Sequence, residues 1–128
     1  MNKITLTGFV SDEMKYLYLS AADILALPME DNPVEEARFP IRLGDYLCAG
    51  RPIVSNAVGE VKYYLEEYNA GLTSPPDSPR KFADNILKVL RNKKLADELS
   101  KNARKLAEGE LSRESVIKKV DSLIQSLL

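Results

Sequence analysis

The stretch ARFPIRLGDYLCAGRPIVSN, Ala37 to Asn56, gathers the residues best suited to chemistry. A loop carries Arg38 and Phe39. Pro40 then opens a predicted helix, where its missing N–H would have no partner anyway. Arg42, Asp45 and Arg51 bring charge to that helix, while Ile41, Leu43, Leu47 and Cys48 give it an apolar side. Gly50 follows the last apolar turn, as a left-handed C-terminal cap does. Pro52-Ile53-Val54-Ser55 reads as a short buried strand. A strand, a loop, the positive end of a helix and a carboxylate one turn in make a suitable seat for a phosphorylated ligand. The same residues also describe an ordinary αβ unit with surface charges, and residue chemistry alone leaves both readings open.

The elements that must position this stretch follow from hydrophobic spacing. Ile4-Thr5-Leu6-Thr7 is β-branched and apolar, so a buried strand is expected, followed by a turn at Gly8-Phe9-Val10. Ser11 or Asp12 caps a helix running to about Ala22, with Met14, Leu17, Tyr18 and Ala21 on its apolar face. Ile24 to Leu27 is a second short strand, closed by Pro28. Met29 to Phe39 has no periodicity and reads as an acidic loop with Glu30, Asp31, Glu35 and Glu36, at the strand end where open α/β sheets bind ligands. A helix from about Glu60 to Tyr68 ends at Asn69 and Gly71, and Leu72-Thr73 is a last extended piece.

Three helices close the chain. The first begins at Ser78-Pro79 and runs to about Arg91, with Phe82, Ile86, Leu87, Val89 and Leu90 apolar. The second covers Lys94 to Glu108, with Leu95, Leu99, Ala103 and Leu106. The third is capped by Ser112 and carries Val116, Ile117, Val120, Leu123, Ile124 and Leu127. Alternating strands and helices argue for an α/β fold: a partial Rossmann-like parallel sheet of three to four strands, flanking helices, and a helical tail over residues 78–128. That tail covers the sheet and itself, or part of it belongs against another domain.

The 128 residues suit one domain. The formal net charge of −1 gives no support for nucleic acid as a partner. Residues 1–70 carry 6 basic and 11 acidic side chains and residues 71–128 carry 12 and 8, so the second part is the basic one. Those bases are interleaved with acids on helices, the pattern of solvated faces. Cys48 has no partner for a disulfide and the chain has no histidine, so Cys48 is expected to pack on the core side of its helix and no metal site is expected. No signal peptide and no run of about 20 apolar residues is read, so a membrane span is not expected and a cytoplasmic, reducing setting is.

Several motifs, taken in order, resemble one family. Leu6-Thr7-Gly8-Phe9-Val10-Ser11-Asp12-Glu13, then Ala21-Ala22-Asp23 and Leu27-Pro28, are followed by Asp45-Tyr46-Leu47-Cys48-Ala49-Gly50-Arg51-Pro52-Ile53-Val54. Val58-Gly59, Gly71-Leu72, Ser74-Pro75-Pro76 and Asn102-Ala103-Arg104 complete the series. Together they resemble the donor-binding domain of retaining GT-B glycosyltransferases, the group 1 type, over its later part. The resemblance implies transfer of a sugar from a nucleotide-diphosphate sugar, without an essential metal or other cofactor. It also implies a missing or separate acceptor-binding domain.

By the same resemblance, Asp45 matches the second acid of the family's paired-acid motif and would accept from the ribose hydroxyls. The first acid belongs eight positions earlier, where Ala37 stands, so Glu36, one residue away, becomes the candidate for touching the donor sugar, with Glu35 beside it. Arg42 and Arg38 would hold the diphosphate, helped by backbone N–H groups at the helix start. Gly8, Phe9 and Val10 match the turn beside the base. Glu36 and Arg42 are thus the expected catalytic residues. Arg42 would oppose the charge that gathers on the leaving diphosphate.

Three function classes stand at this point. The chain is the donor half of a glycosyltransferase, a non-catalytic nucleotide-sugar module, or a truncated α/β fragment that self-associates. The last would form a homodimer through a sheet edge left open near Ile4 to Thr7.

Overall fold

The structure is a computed structural model and describes residues 3–128. Three short strands, β1 (Leu25–Leu27), β2 (Ile53–Ser55) and β3 (Gly71–Thr73), form a parallel sheet in the order β1-β2-β3. Leu25, Ile53 and Gly71 stand side by side, as do Leu27, Ser55 and Thr73 one repeat further on. The sheet is therefore the parallel α/β arrangement expected, with three strands among the described residues.

Among the described residues, seven helices surround it. They are α1 (Asp12–Ala21), α2 (Pro33–Ala37), α3 (Ile41–Ala49), α4 (Gly59–Glu67), α5 (Pro79–Arg91), α6 (Lys93–Glu108) and α7 (Arg113–Leu127). Their starts follow capping chemistry. Ser11, Asn32, Ser78, Asn92 and Ser112 each accept a backbone N–H from the first turn of the helix they precede. Gly50 ends α3 in the left-handed region at φ 61°, as its position predicted.

The core lies on both faces of β2. Ile53 packs with Leu25, Leu27, Leu43, Leu47, Val61, Leu65 and Leu106, all buried, on the side of α3 and α4. Val54 points the other way and packs with Val89 and Leu99 of α5 and α6. Strand alternation alone produces this division. α6 contributes to both clusters, with Leu99 in one and Ala103 and Leu106 in the other.

Four expectations are corrected. Ile4 to Thr7 forms no strand: Ile4 and Leu6 are 72% and 91% exposed, and no strand among the described residues lies beside them to complete a ladder. Met29 to Phe39 is not all loop, because Asn32 caps the short helix α2 there. The inner stripe of α1 is Lys15, Leu19 and Ala22; Met14, Leu17 and Tyr18 are exposed. Both stripes have helical spacing, one residue apart, so periodicity cannot choose between them. On α3, Leu43 and Leu47 are buried while Ile41 and Cys48 are exposed. Ile41 and Cys48 are seven residues apart and share the side of the helix turned away from the Leu43–Leu47 stripe.

The tail divides. α5 and α6 pack on the sheet and on each other. Within α5, Phe82, Ile86 and Val89 face the core, whereas Leu87 and Leu90 look outward. α7 buries none of its residues, and Val116, Ile117, Val120, Leu123, Ile124 and Leu127 are all exposed.

Candidate functional site

The C-terminal ends of the strands feed the loops that build the site. Asn56, just past β2, holds them together. Its Oδ1 accepts the Met29 N–H at 2.7 Å, and its Nδ2 donates to the Met29 carbonyl at 2.8 Å and to the Pro76 carbonyl at 3.4 Å. One amide side chain thus ties the segments following β1, β2 and β3. Beneath it, the buried Ser55 hydroxyl donates to the Leu27 carbonyl at 2.6 Å.

From Met29 the chain enters α2. The Asn32 side chain accepts the Glu35 N–H at 2.9 Å, and the Glu35 carboxylate pairs with Arg38 at 2.6 Å. Arg38 is therefore engaged within its own loop. Glu36 is exposed on α2, and its carboxylate has no ion pair among the described residues. The Glu36 backbone lies so close to Gly59 that a β-carbon there would run into the Glu36 carbonyl oxygen; Gly59 also has φ +55°. Only glycine fits this approach of α2 to the start of α4.

The Arg38-Phe39-Pro40 link is anchored at its middle. The Phe39 ring meets Tyr64 of α4 edge-on at 5.8 Å, and Pro40 is buried. Pro40 serves as N-cap of α3 and supplies no side-chain hydrogen bond, and the first turn holds no acid. Among the described residues no side chain caps the start of α3; within its first turn the Leu43 N–H donates to the Pro40 carbonyl at 2.9 Å, and Arg42 stands exposed there. An uncapped, acid-free helix start with an arginine on it favours anions.

Asp45 lies one turn further along α3. Its Oδ2 is 3.3 Å from Lys15 Nζ of α1, and Lys15 also reaches Asp12 Oδ1 at 3.3 Å. These contacts hold the Lys15 ammonium above its ordinary pKa, the hydrogen bond to Asp45 first and that to Asp12 second. Tyr46, the next residue, donates its hydroxyl to the Ala26 carbonyl at 3.4 Å and ties α3 to β1. Gly8, at φ +64°, with Phe9 and Val10 forms the exposed turn that leads into α1.

Arg42 and Asp45 thus share α3, with Arg38 on the link before it and Glu36 on α2. Gly8, Phe9 and Val10 sit at the head of α1, whose Lys15 reaches Asp45. Three contributors carry no site role in the sequence reading: Lys15, Asn56 and Gly59, the last present there only as part of the Val58-Gly59 motif. A glycine and an asparagine directly after a β-branched strand run are a recognisable turn signal, but their partners, Glu36 and Met29, are distant in sequence. Among the described residues no group of three or more histidine, cysteine, aspartate or glutamate side chains could hold a metal ion, and no helix is long and apolar enough to cross a membrane.

A three-stranded parallel sheet flanked by helices defines an α/β, Rossmann-like fragment. Comparison with known proteins makes this specific. The model of the family Glycosyl transferases group 1 matches residues 1–106, and the chain belongs to that family. It is 27% identical over 105 residues to an alpha-D-kanosaminyltransferase of Streptomyces kanamyceticus, covering 82% of this chain and 26% of that protein. The chain therefore spans about a quarter of the length of that relative. No solved structure matches it significantly.

Proposed function

We propose that the chain is the donor-binding part of a retaining glycosyltransferase of the GT-B type and takes a nucleotide-diphosphate sugar. The observation that carries this reading is the start of α3. An uncapped, acid-free helix end with Arg42 exposed on it is followed one turn later by Asp45, inside the region that the family model matches. In this reading the diphosphate sits against the Ile41 and Arg42 N–H groups at the start of α3, with the Arg42 side chain over it. Asp45 accepts from the ribose hydroxyls, and the Gly8-Phe9-Val10 turn lies against the base.

Glu36 faces the sugar from α2, and Arg38 joins the phosphate contacts by exchanging its Glu35 partner for ligand oxygen. Cleavage of the anomeric bond leaves charge on the diphosphate. Fixed cations and backbone N–H groups stabilise that charge more in the transition state than in the ground state. The acceptor is held by a separate domain.

The test is calorimetric titration of the chain with a panel of nucleoside diphosphates and their sugars, repeated with Asp45→Ala. Saturable binding that the substitution removes supports the reading. Binding that Asp45→Ala leaves unchanged removes the ribose role.

A second reading, a fragment that self-associates, draws on the apolar side chains left uncovered at Ile4, Leu6, Leu17 and Tyr18. A concentration-dependent mass without any nucleotide binding would favour it.

A further inference from the structure

Lys15 stands where a helix normally places an apolar residue. It falls in the inner stripe of α1 with Leu19 and Ala22, facing α3, and its side chain is 37% exposed. Its ammonium reaches Asp12 on its own helix and Asp45 on α3, each at 3.3 Å. The Asp45 side chain is 23% exposed, less than that of Asp12 at 88%. Bridging two helices requires the long lysine stem to be ordered, and an ordinary surface ion pair returns little for that loss of freedom. The arrangement is better explained by what it does to Asp45.

Lys15 Nζ stands 3.3 Å from Asp45 Oδ2. A carboxylate on a short stem can rotate about its terminal torsion, which is broad and nearly two-fold. A cation held against one oxygen restricts that rotation and biases the direction of the other. A preset acceptor loses less freedom when it binds a hydroxyl than a rotating one does. Lys15 also keeps Asp45 compensated in a half-buried place, where an unpaired charge is disfavoured.

We propose that Lys15 is a positioning residue of the donor site: by holding Asp45 Oδ2 from α1, it presents the second carboxylate oxygen to the ribose hydroxyls of the nucleotide. This rests on the donor-site reading above and adds a residue to it. It also gives α1 a role in ligand selection, because that helix joins the Gly8-Phe9-Val10 turn to the carboxylate that reads the ribose.

The experiment is calorimetric titration of the full chain with the ribonucleoside diphosphate that binds best and with its 2′,3′-dideoxy counterpart. The variants are Lys15→Met, Lys15→Arg, Asp45→Asn and the Lys15→Met/Asp45→Asn pair, with a thermal melt of each as the folding control. Lys15→Met is expected to weaken the ribose ligand about threefold to tenfold, the range of one hydrogen bond. It should leave the dideoxy ligand unchanged. Lys15→Arg should restore most of the loss, and the double variant should bind like Asp45→Asn alone.

Equal losses on both ligands would mean that Lys15 only supports the fold, and tighter ribose binding by Lys15→Met would make it a competitor of the ligand. Either result, or no change at all, overturns the proposal while leaving the donor site standing. If the wild-type chain binds ribose and dideoxy ligands alike, the ribose role of Asp45 falls and this proposal falls with it.

Discussion

Gly59 and the Glu36 carbonyl are in backbone contact: a β-carbon on Gly59 would meet the Glu36 oxygen and sit 3.1 Å from the Glu36 Cα. The contact sets how near α2 lies to the start of α4, and so where Glu36 stands. Gly59→Ala is expected to lower stability by at least about 1–2 kcal/mol, the cost of left-handed backbone for an L-residue, with the displacement of α2 added. Urea unfolding measures it. An unchanged midpoint would mean that α2 is free to move away without cost.

Arg42 is the exposed cation at the uncapped start of α3. Arg42→Ala is expected to weaken a nucleoside diphosphate by roughly tenfold or more, as for loss of a charged hydrogen-bond donor, and to leave the nucleoside itself unaffected. Parallel titrations of the two ligands read the difference. Equal losses would remove Arg42 from the diphosphate.

Asn56→Ala would strip the Met29 N–H and carbonyl of their side-chain partners in a site where Met29 is 6% exposed. A loss of about 1–3 kcal/mol is expected, the cost of leaving a buried polar group unpaired. Limited trypsin digestion gives a second readout. Release of the segment after β1 should speed cleavage at exposed Arg38 relative to the lysines of α7, and equal rates would show that Asn56 does not restrain it.

Leu47 is 1% exposed in the cluster around Ile53. Leu47→Ala is expected to cost about 2–5 kcal/mol, whereas Ile41→Ala, at an exposed position of the same helix, should change stability little. Thermal melts of the two variants compare a packed position with an open one.

The Lys15 ammonium titrates above its ordinary value of 10.5 because Asp45, and then Asp12, hold its proton. A pKa raised by folding contributes stability that is complete below the unfolded value and fades as pH climbs through the folded one. The link between α1 and α3 should therefore be constant through neutral pH and weaken only above 10.5. A melting profile that falls above that pH in the wild type, and less steeply in Lys15→Met, is the expected result. Identical profiles would show that other groups govern the alkaline side.

Much of the frame was legible in the sequence because local chemistry fixes it. Ser11, Ser78 and Ser112 announce helix starts, Gly50 needs a left-handed backbone, and the Ile53 run is apolar on both sides because both faces of its strand are covered. What failed depended on neighbours. Ile4 to Thr7 has the composition of a strand, yet a strand exists only where another offers hydrogen bonds. On α1 two stripes have equal spacing, and the choice falls on the one where lysine meets Asp45, a fact of three-dimensional proximity. On α3, Ile41 and Cys48 stand opposite Leu43 and Leu47 by simple rotation, which apolar composition alone does not separate.

The site divides the same way. Arg42 and Asp45 were placed by the helix that Pro40 opens, so their relation was readable. Arg38 lies in its expected loop but is held by Glu35, and the helix under Glu36 was hidden because a five-residue element is too short to show a period. Asn56 acts on the Met29 amide and on the Met29 and Pro76 carbonyls, groups that carry no side-chain signature in a sequence.

One feature of α6 bears on how the molecule comes apart. The same rod inserts Leu99 into the cluster on one face of the sheet and Ala103 and Leu106 into the cluster on the other. α6 cannot leave without opening both clusters. The two sides should therefore exchange their amide protons with a common free energy, as one cooperative unit. α7, which buries nothing, should exchange near the rate of a frayed helix. The chain would then divide in hydrogen exchange into a slow body, the sheet with α3 to α6, and a fast final helix.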